Sequence, residues 1–205
     1  MPSAGAACAG AHAKGAFVTD AITPDRLAAD PPWLAPMWLD LKGGGRVLLR
    51  AVLPEDRDHI IDGFNRLSPE SRRLRFHEPR QALTKAELDF LTTIDQDWHV
   101  SWAACLPDGT GVGIARYVVD PDERGAEIAL AVVDEYQRRG IGLALLRKLA
   151  AIAAARGLVT FHATVLSENR AMLALIERFA TSAMPTQGVL RVEVPVAALR
   201  ADATS

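Results

Sequence analysis

The run Gln137-Arg138-Arg139-Gly140-Ile141-Gly142 constrains the fold of this chain more than any other segment. An apolar stretch precedes it, Glu127-Ile128-Ala129-Leu130-Ala131-Val132-Val133, with Asp134-Glu135-Tyr136 as the turn. The segment after it, Leu143 to Ile152, is helical in period and rich in Ala and Leu, and Gly157 supplies a C-cap. A strand that turns so sharply into a helix presents several backbone N–H groups to one point, beside the positive end of that helix. Gly140 and Gly142 let an anion approach the main chain, and Arg138 and Arg139 add positive charge. The spacing predicts a pyrophosphate cradle; a strand-to-helix turn carrying a surface charge pair is the plainer reading. Neither the three-glycine dinucleotide fingerprint nor a P-loop is present, since no Gly-Lys-Ser/Thr follows.

At 205 residues the chain is long enough for about one domain with a sizeable core. No apolar run reaches the roughly 18 residues that span a bilayer, so no membrane association is expected. Residues 1–20 are low in complexity and expected to form a flexible tail, without the pattern of a signal peptide. The only cysteines, Cys8 and Cys105, cannot build a disulfide framework, and a cytoplasmic location is expected. A net charge of −2 gives no sign of nucleic-acid binding. The histidines 12, 59, 77, 99 and 162 lack ligand spacing, so no metal is expected. No Gly-x-Ser-x-Gly elbow supports serine hydrolase chemistry.

Residues 21–45 are expected to form an arm, with Pro24, Pro31, Pro32 and Pro36 beside Trp33, Met37 and Trp38. Such an arm is expected to pack on the domain or on a second copy, which makes a homo-oligomer a possibility. The folded domain is expected over 46–195, with 196–205 as a C-terminal tail. Arg46–Val52 reads as a strand, and Pro54 opens a helix through Asn65. Ser68-Pro69 starts a short basic helix to Phe76, and Thr84-Lys85-Ala86-Glu87 is a capping box for a third helix ending near Ile94. Strands follow at His99–Leu106 and Val112–Val119, joined by Pro107-Asp108-Gly109. After the long helix come a strand at 159–165, a helix at 168–180 and a last strand near Val189–Val194. An antiparallel meander followed by crossover helices is an α+β mixed sheet.

The segment Val132 to Leu146 resembles the acetyl-CoA signature of GNAT-superfamily N-acetyltransferases, Gln/Arg-x-x-Gly-x-Gly/Ala. The strand Val159–Val165 and Leu166-Ser167-Glu168-Asn169-Arg170-Ala171-Met172 resemble that family's second, Asn-containing motif. Leu67 to Phe76 is similar to a segment of bacterial Pat-type protein lysine acetyltransferases. The resemblance covers roughly residues 46–195. It implies a GNAT fold, with a mostly antiparallel twisted sheet splayed at the acetyl-CoA site and helices on both faces. It implies that acetyl-CoA is held by the backbone of Leu130, Ala131 and Val132 and by the cradle, Gln137, Arg138, Arg139, Gly140, Ile141, Gly142 and Leu143. Asn169 would contact the pantetheine arm; an N-cap is its other role.

An alkyl amine has a pKa near 10.4, so at neutral pH only about one molecule in a thousand is free base. A positioned carboxylate removes that proton. Glu127 is a lone acid in an apolar strand, and Pat-type enzymes carry a glutamate general base at the matching position. An exposed strand position or a cross-strand ion pair with Arg116 is the alternative. Many GNAT enzymes place a tyrosine seven residues after the motif Asn to protonate the leaving thiolate; here that residue is Ile176. Tyr136 and Tyr117 are poor substitutes by position. Arg72, Arg73 and Arg75 are expected on a solvated helix face or along an acidic-substrate groove, and His77 and His99 are ordinary polar contacts or candidate aids to deprotonation. The expected activity is acetyl transfer to a primary amine, foremost a protein lysine. A small-amine acetyltransferase and a non-catalytic acyl-CoA-sensing module remain as alternatives.

Overall fold

A computed structural model describes residues 34–120 and 125–201. They form one mixed sheet of eight strands, ordered β1-β2-β3-β4-β5-β6-β8-β7. The strands are β1 Met37–Asp40, β2 Arg46–Ala51, β3 His99–Cys105, β4 Gly111–Val119, β5 Gly125–Val132, β6 Thr160–Leu166, β7 Ser182–Thr186 and β8 Val189–Pro195. Every neighbouring pair is antiparallel except β5 with β6. The helices are α1 Arg57–Asn65, α2 Pro69–Phe76, α3 Lys85–Thr92, α4 Ile141–Ala155, α5 Arg170–Ile176 and α6 Val196–Ala201.

Local chemistry sets the helix starts. Ser68 Oγ accepts the Ser71 N–H at 3.1 Å ahead of Pro69, and Thr84 with Glu87 closes a capping box on α3. Parallel pairing of β5 with β6 requires a crossover, and α4 supplies it. The side of α4 facing the sheet carries Leu145, Leu146, Leu149 and Ile152, all fully buried against Trp102 and Tyr117. The helices α1, α2 and α3 cover the opposite face, so the sheet is sandwiched.

Three expectations about the ends of the domain change. Met37–Asp40, inside the expected arm, is a sheet strand paired Met37↔Leu49 to Asp40↔Arg46. Four residues are too few for a readable period, and its Trp38 lies under the Arg46 guanidinium, 4.4 Å from ring centroid to Cζ. Residues expected to begin a C-terminal tail form α6, because Val196 and Leu199 are buried against α4. The helix expected at 168–180 is confined to Arg170–Ile176, and Ser182–Thr186 adds the edge strand β7. The expected tail of residues 1–20 and most of the arm lie outside the described residues. Among the described residues, no helix is long and apolar enough to cross a membrane, and no group of three His, Cys, Asp or Glu is placed to hold a metal.

Candidate active site

The site begins where two strands part. β5 pairs with β6 at Gly125↔Thr160, Ala126↔Phe161 and Glu127↔His162, and nowhere beyond. Both strands run on, to Val132 and Leu166. On its other edge β5 stays paired with β4 along its length, from Ala126↔Val119 to Val132↔Gly113. Gly125 accepts the Asp120 N–H at 3.1 Å and Val133 donates to Val112 at 2.9 Å, so odd-numbered residues of β5 turn their backbone toward β4. Leu130 and Val132 therefore turn theirs into the gap, while Ala131 is committed to β4. The Val132 carbonyl is taken by the Gln137 side-chain amide at 3.1 Å.

The cradle sits at the open end of this gap. Arg138 and Gly140 both have positive φ, +58° and +97°, and Gly140 is the N-cap of α4. A glycine cannot cap with a side chain, and Ala144 is the first residue whose N–H reaches an intrahelical carbonyl, that of Gly140 at 3.1 Å. The N–H groups of Ile141, Gly142 and Leu143 are left without an intrahelical partner at the positive end of a 15-residue helix. No acidic side chain stands in that first turn. Gly142 serves packing as well. A Cβ there would meet Leu130 Cδ2 at 3.2 Å and Leu175 Cδ2 at 3.3 Å. Nothing lies within 4 Å of a Cβ on Gly140, whose glycine is required by conformation alone.

Asp134 and Gln137 brace the turn. Asp134 accepts from Ser68 N–H at 3.0 Å, Ser68 Oγ at 2.7 Å and Ser71 Oγ at 2.8 Å, which ties it to the start of α2. Partial burial works against its charge, but these donors outweigh it and hold the carboxyl below its ordinary range. Gln137 Nε2 also reaches Ser71 Oγ at 3.3 Å. The glutamine of the signature thus acts on the frame of the turn.

A cleft of about 560 Å³ follows the gap from the cradle to the closed end of the β5–β6 pair. Glu127 and every residue expected to hold acetyl-CoA line it except Arg139 and Ile141. Ile141 is buried in the core, and Arg139 lies over the Tyr136 ring at 5.2 Å. Asn169 does line the cleft, and its Oδ1 caps α5 by accepting the Met172 N–H at 3.0 Å. Ile176, at the position of the family tyrosine, is buried. Tyr117 is buried too and bonded to Arg156 at 2.9 Å, whereas Tyr136 lines the cleft.

Glu127 is the only acid lining the cleft among the described residues, and it is exposed there. Arg116 pairs with Ala129, one step along on the same face, so it is a diagonal neighbour of Glu127 and not its opposite. No ion pair forms between them. Lys42, Arg75, His77, Arg116 and Arg138 line the same cleft. Sequence reasoning gave no role to Lys42 and offered Arg116 only as an ion-pair partner. The signal for Arg116 was the one used for Glu127, a lone charge in an otherwise apolar strand. Of the two candidate histidines, His77 is exposed and ends α2 with φ +63°. His99 is buried, stacked on Phe90 at 4.5 Å, and outside the cleft lining.

Comparison with known proteins places this geometry. The acetyltransferase (GNAT) family profile matches residues 64–180. An acetyltransferase of Pseudomonas aeruginosa is 34% identical over 139 residues, which is 66% of this chain and 75% of that protein. The acetyltransferase Pat of Mycolicibacterium smegmatis is 33% identical over 166 residues, 80% of this chain; the chain spans 50% of Pat's length. The crystal structure of the GNAT domain of S. lividans PAT matches with a TM-score of 0.74 at 27% identity, covering 81% of this chain and 99% of that domain.

Proposed function

Because the chain belongs to the acetyltransferase (GNAT) family, an acetyl-CoA-dependent class of N-acetyltransferases, we propose that its acceptor is a protein lysine and its general base Glu127. One observation carries the reading. Glu127, the single acid of the cleft among the described residues, stands at the closed end of a strand gap whose open end is a bare helix N-terminus. Glu127 and Val132 lie five residue steps apart along β5, a span of about 17 Å. A long thioester substrate lies along that span, with pyrophosphate on the amides of Arg138 to Leu143 and the pantetheine arm beside Leu130 and Val132. Its thioester then comes toward Glu127. The residues fit such a group, since the cradle offers uncapped N–H groups and no competing carboxylate.

Glu127 takes a proton from the lysine ammonium and passes it to solvent. The free amine forms a C–N bond to the acyl carbon, its nitrogen gives up a second proton to water, the C–S bond breaks, and the electron pair leaves with sulfur as thiolate. With Ile176 in place of the tyrosine, water protonates that thiolate. A polyamine acceptor fits poorly, because Lys42, Arg75, Arg116 and Arg138 would repel it. The Pat-like segment Leu67 to Phe76 supports a protein acceptor. Calorimetric titration with acetyl-CoA, followed by a lysine peptide while free thiol is monitored, tests the reading. Binding with thiol release is expected. Glu127→Gln is expected to keep acetyl-CoA affinity and lower kcat at least ~10-fold at neutral pH. Unchanged kcat in that variant would remove Glu127 from the mechanism, and binding without release on any amine would favour a sensing module.

A further inference from the structure

The positive lining of the cleft extends past what the acetyl donor needs. Arg138 and Lys42 stand by the cradle, but Arg75 on α2 and Arg116 on β4 stand with Glu127 at the opposite end. The other arginines of the α1–α3 side have partners. Arg57 pairs with Asp89, Arg66 with Asp62 and Glu135, Arg73 with Glu70 and Glu168, and Arg80 with Glu78 and Glu87. Arg72 is spent on the carbonyls of Phe64, Asn65 and Leu67. Arg75 and Arg116 have no carboxylate within ion-pair distance among the described residues. The Arg116 Nε is buried with no hydrogen-bond partner. Each guanidinium instead lies over a ring, Arg116 over Phe90 at 4.6 Å and Arg75 over Phe76 at 5.0 Å.

Two half-buried cations held near each other, with Glu127 close enough to offset part of their charge but not to pair with either, oppose folding, and a ligand anion relieves that. Burial and the Arg116 charge lower the Arg75 pKa to about 10, which leaves it charged at neutral pH. Burial also lowers that of Arg116, with Glu127 opposing. The rings fix both planar forks, and a fork is the shape that holds a carboxylate through two parallel hydrogen bonds. We infer that Arg75 and Arg116 bind a carboxylate of the acceptor, so that the preferred substrate presents an acidic group next to the amine that Glu127 deprotonates. For a protein acceptor this is a lysine flanked by Asp or Glu; the inference rests on the lysine reading above. The same chemistry in a small molecule is an amino acid whose own carboxylate occupies the pair.

The test compares two lysine peptides that differ only in a neighbouring Glu or Gln, with thiol release as the readout. The wild-type protein is expected to favour the Glu peptide in kcat/KM by about 10-fold, mostly through KM. That ratio is expected to fall toward one in Arg75→Gln and in Arg116→Lys, and to persist in Arg73→Gln, which alters a surface ion pair outside the cleft. Equal rates for the two peptides in the wild type would overturn the inference, whatever the variants do. Release with neither peptide would instead overturn the lysine reading. A free amino acid and its decarboxylated amine then decide the pair's role. Preference for the amino acid upholds the carboxylate site with a small acceptor, and no preference overturns it.

Discussion

At the residue scale, the site sets Glu127 beside two arginines, Arg116 on the same sheet face and Arg75 on α2, and keeps the nearby histidine neutral. His99 is buried in β3, and burial, with help from Arg116, lowers its pKa to about 4 against Asp95. In the unfolded chain the same group titrates near 6.5. Between those values the unfolded state binds more protons, so stability falls as pH drops from about 6.5 to about 4. The loss is about 3 kcal/mol, and His99→Phe is expected to remove most of it. Urea unfolding midpoints at several pH values check this; an unchanged slope in the variant would assign the acid loss to other groups. The same burial takes His99 out of the proton-transfer role that its position in sequence allowed. Glu127 keeps its role as proposed base because it is open to the cleft and unpaired.

At the scale of elements, the meaning of the Gln-x-x-Gly-x-Gly run divides between its members. Its position between an apolar strand and an Ala/Leu helix was legible, because hydrophobic period and glycine placement are local properties. The separate jobs of the two glycines were not. Gly140 has an open surrounding and a φ of +97°, so Gly140→Ala is expected to cost about 1–2 kcal/mol in conformation and to weaken acetyl-CoA binding. Gly142 is helical and its obstacles are two flexible leucine tips, so Gly142→Ala is expected to stay within about 1 kcal/mol of the parent. Thermal unfolding of both variants separates conformation from contact, and equal losses would contradict the distinction. The gap between β5 and β6 was foreseen only through family resemblance. No local pattern tells where a parallel pair stops, since register is a property of two segments far apart in sequence. The edge strands β1 and β7 and the short helix α6 escaped for a related reason. Each is six residues or fewer, and each is fixed by the neighbour it pairs with or packs against.

At the scale of the whole molecule, a single twisted sheet holds the two halves of the site at fixed separation. The α4 face is an apolar core, and the opposite face carries the helices that bring Arg75 and His77 to the cleft. That second face is tied to the sheet by a buried ion pair. Arg50 on β2 donates twice to Asp56, at 2.6 Å each, and Asp56 also accepts the Leu53 N–H at 2.8 Å. Removing one partner leaves a buried charge unpaired. Asp56→Ala is expected to cost about 3–5 kcal/mol and to lower Tm by roughly 10 °C, seen by calorimetry. The paired replacement Arg50→Met with Asp56→Leu is expected to lose less, and a loss as large as that of the single variant would contradict an ion-pair origin.

We propose that acetyl-CoA lies in the β5–β6 gap with its phosphates on the N-terminus of α4. Residue-resolved amide hydrogen exchange, with and without acetyl-CoA, tests it most directly. Added protection is expected at Leu130, Val132, Gly142 and Leu143, with little change at Ala131, whose backbone is already paired to β4. Protection centred elsewhere, or shared equally by Ala131 and its neighbours, would contradict it.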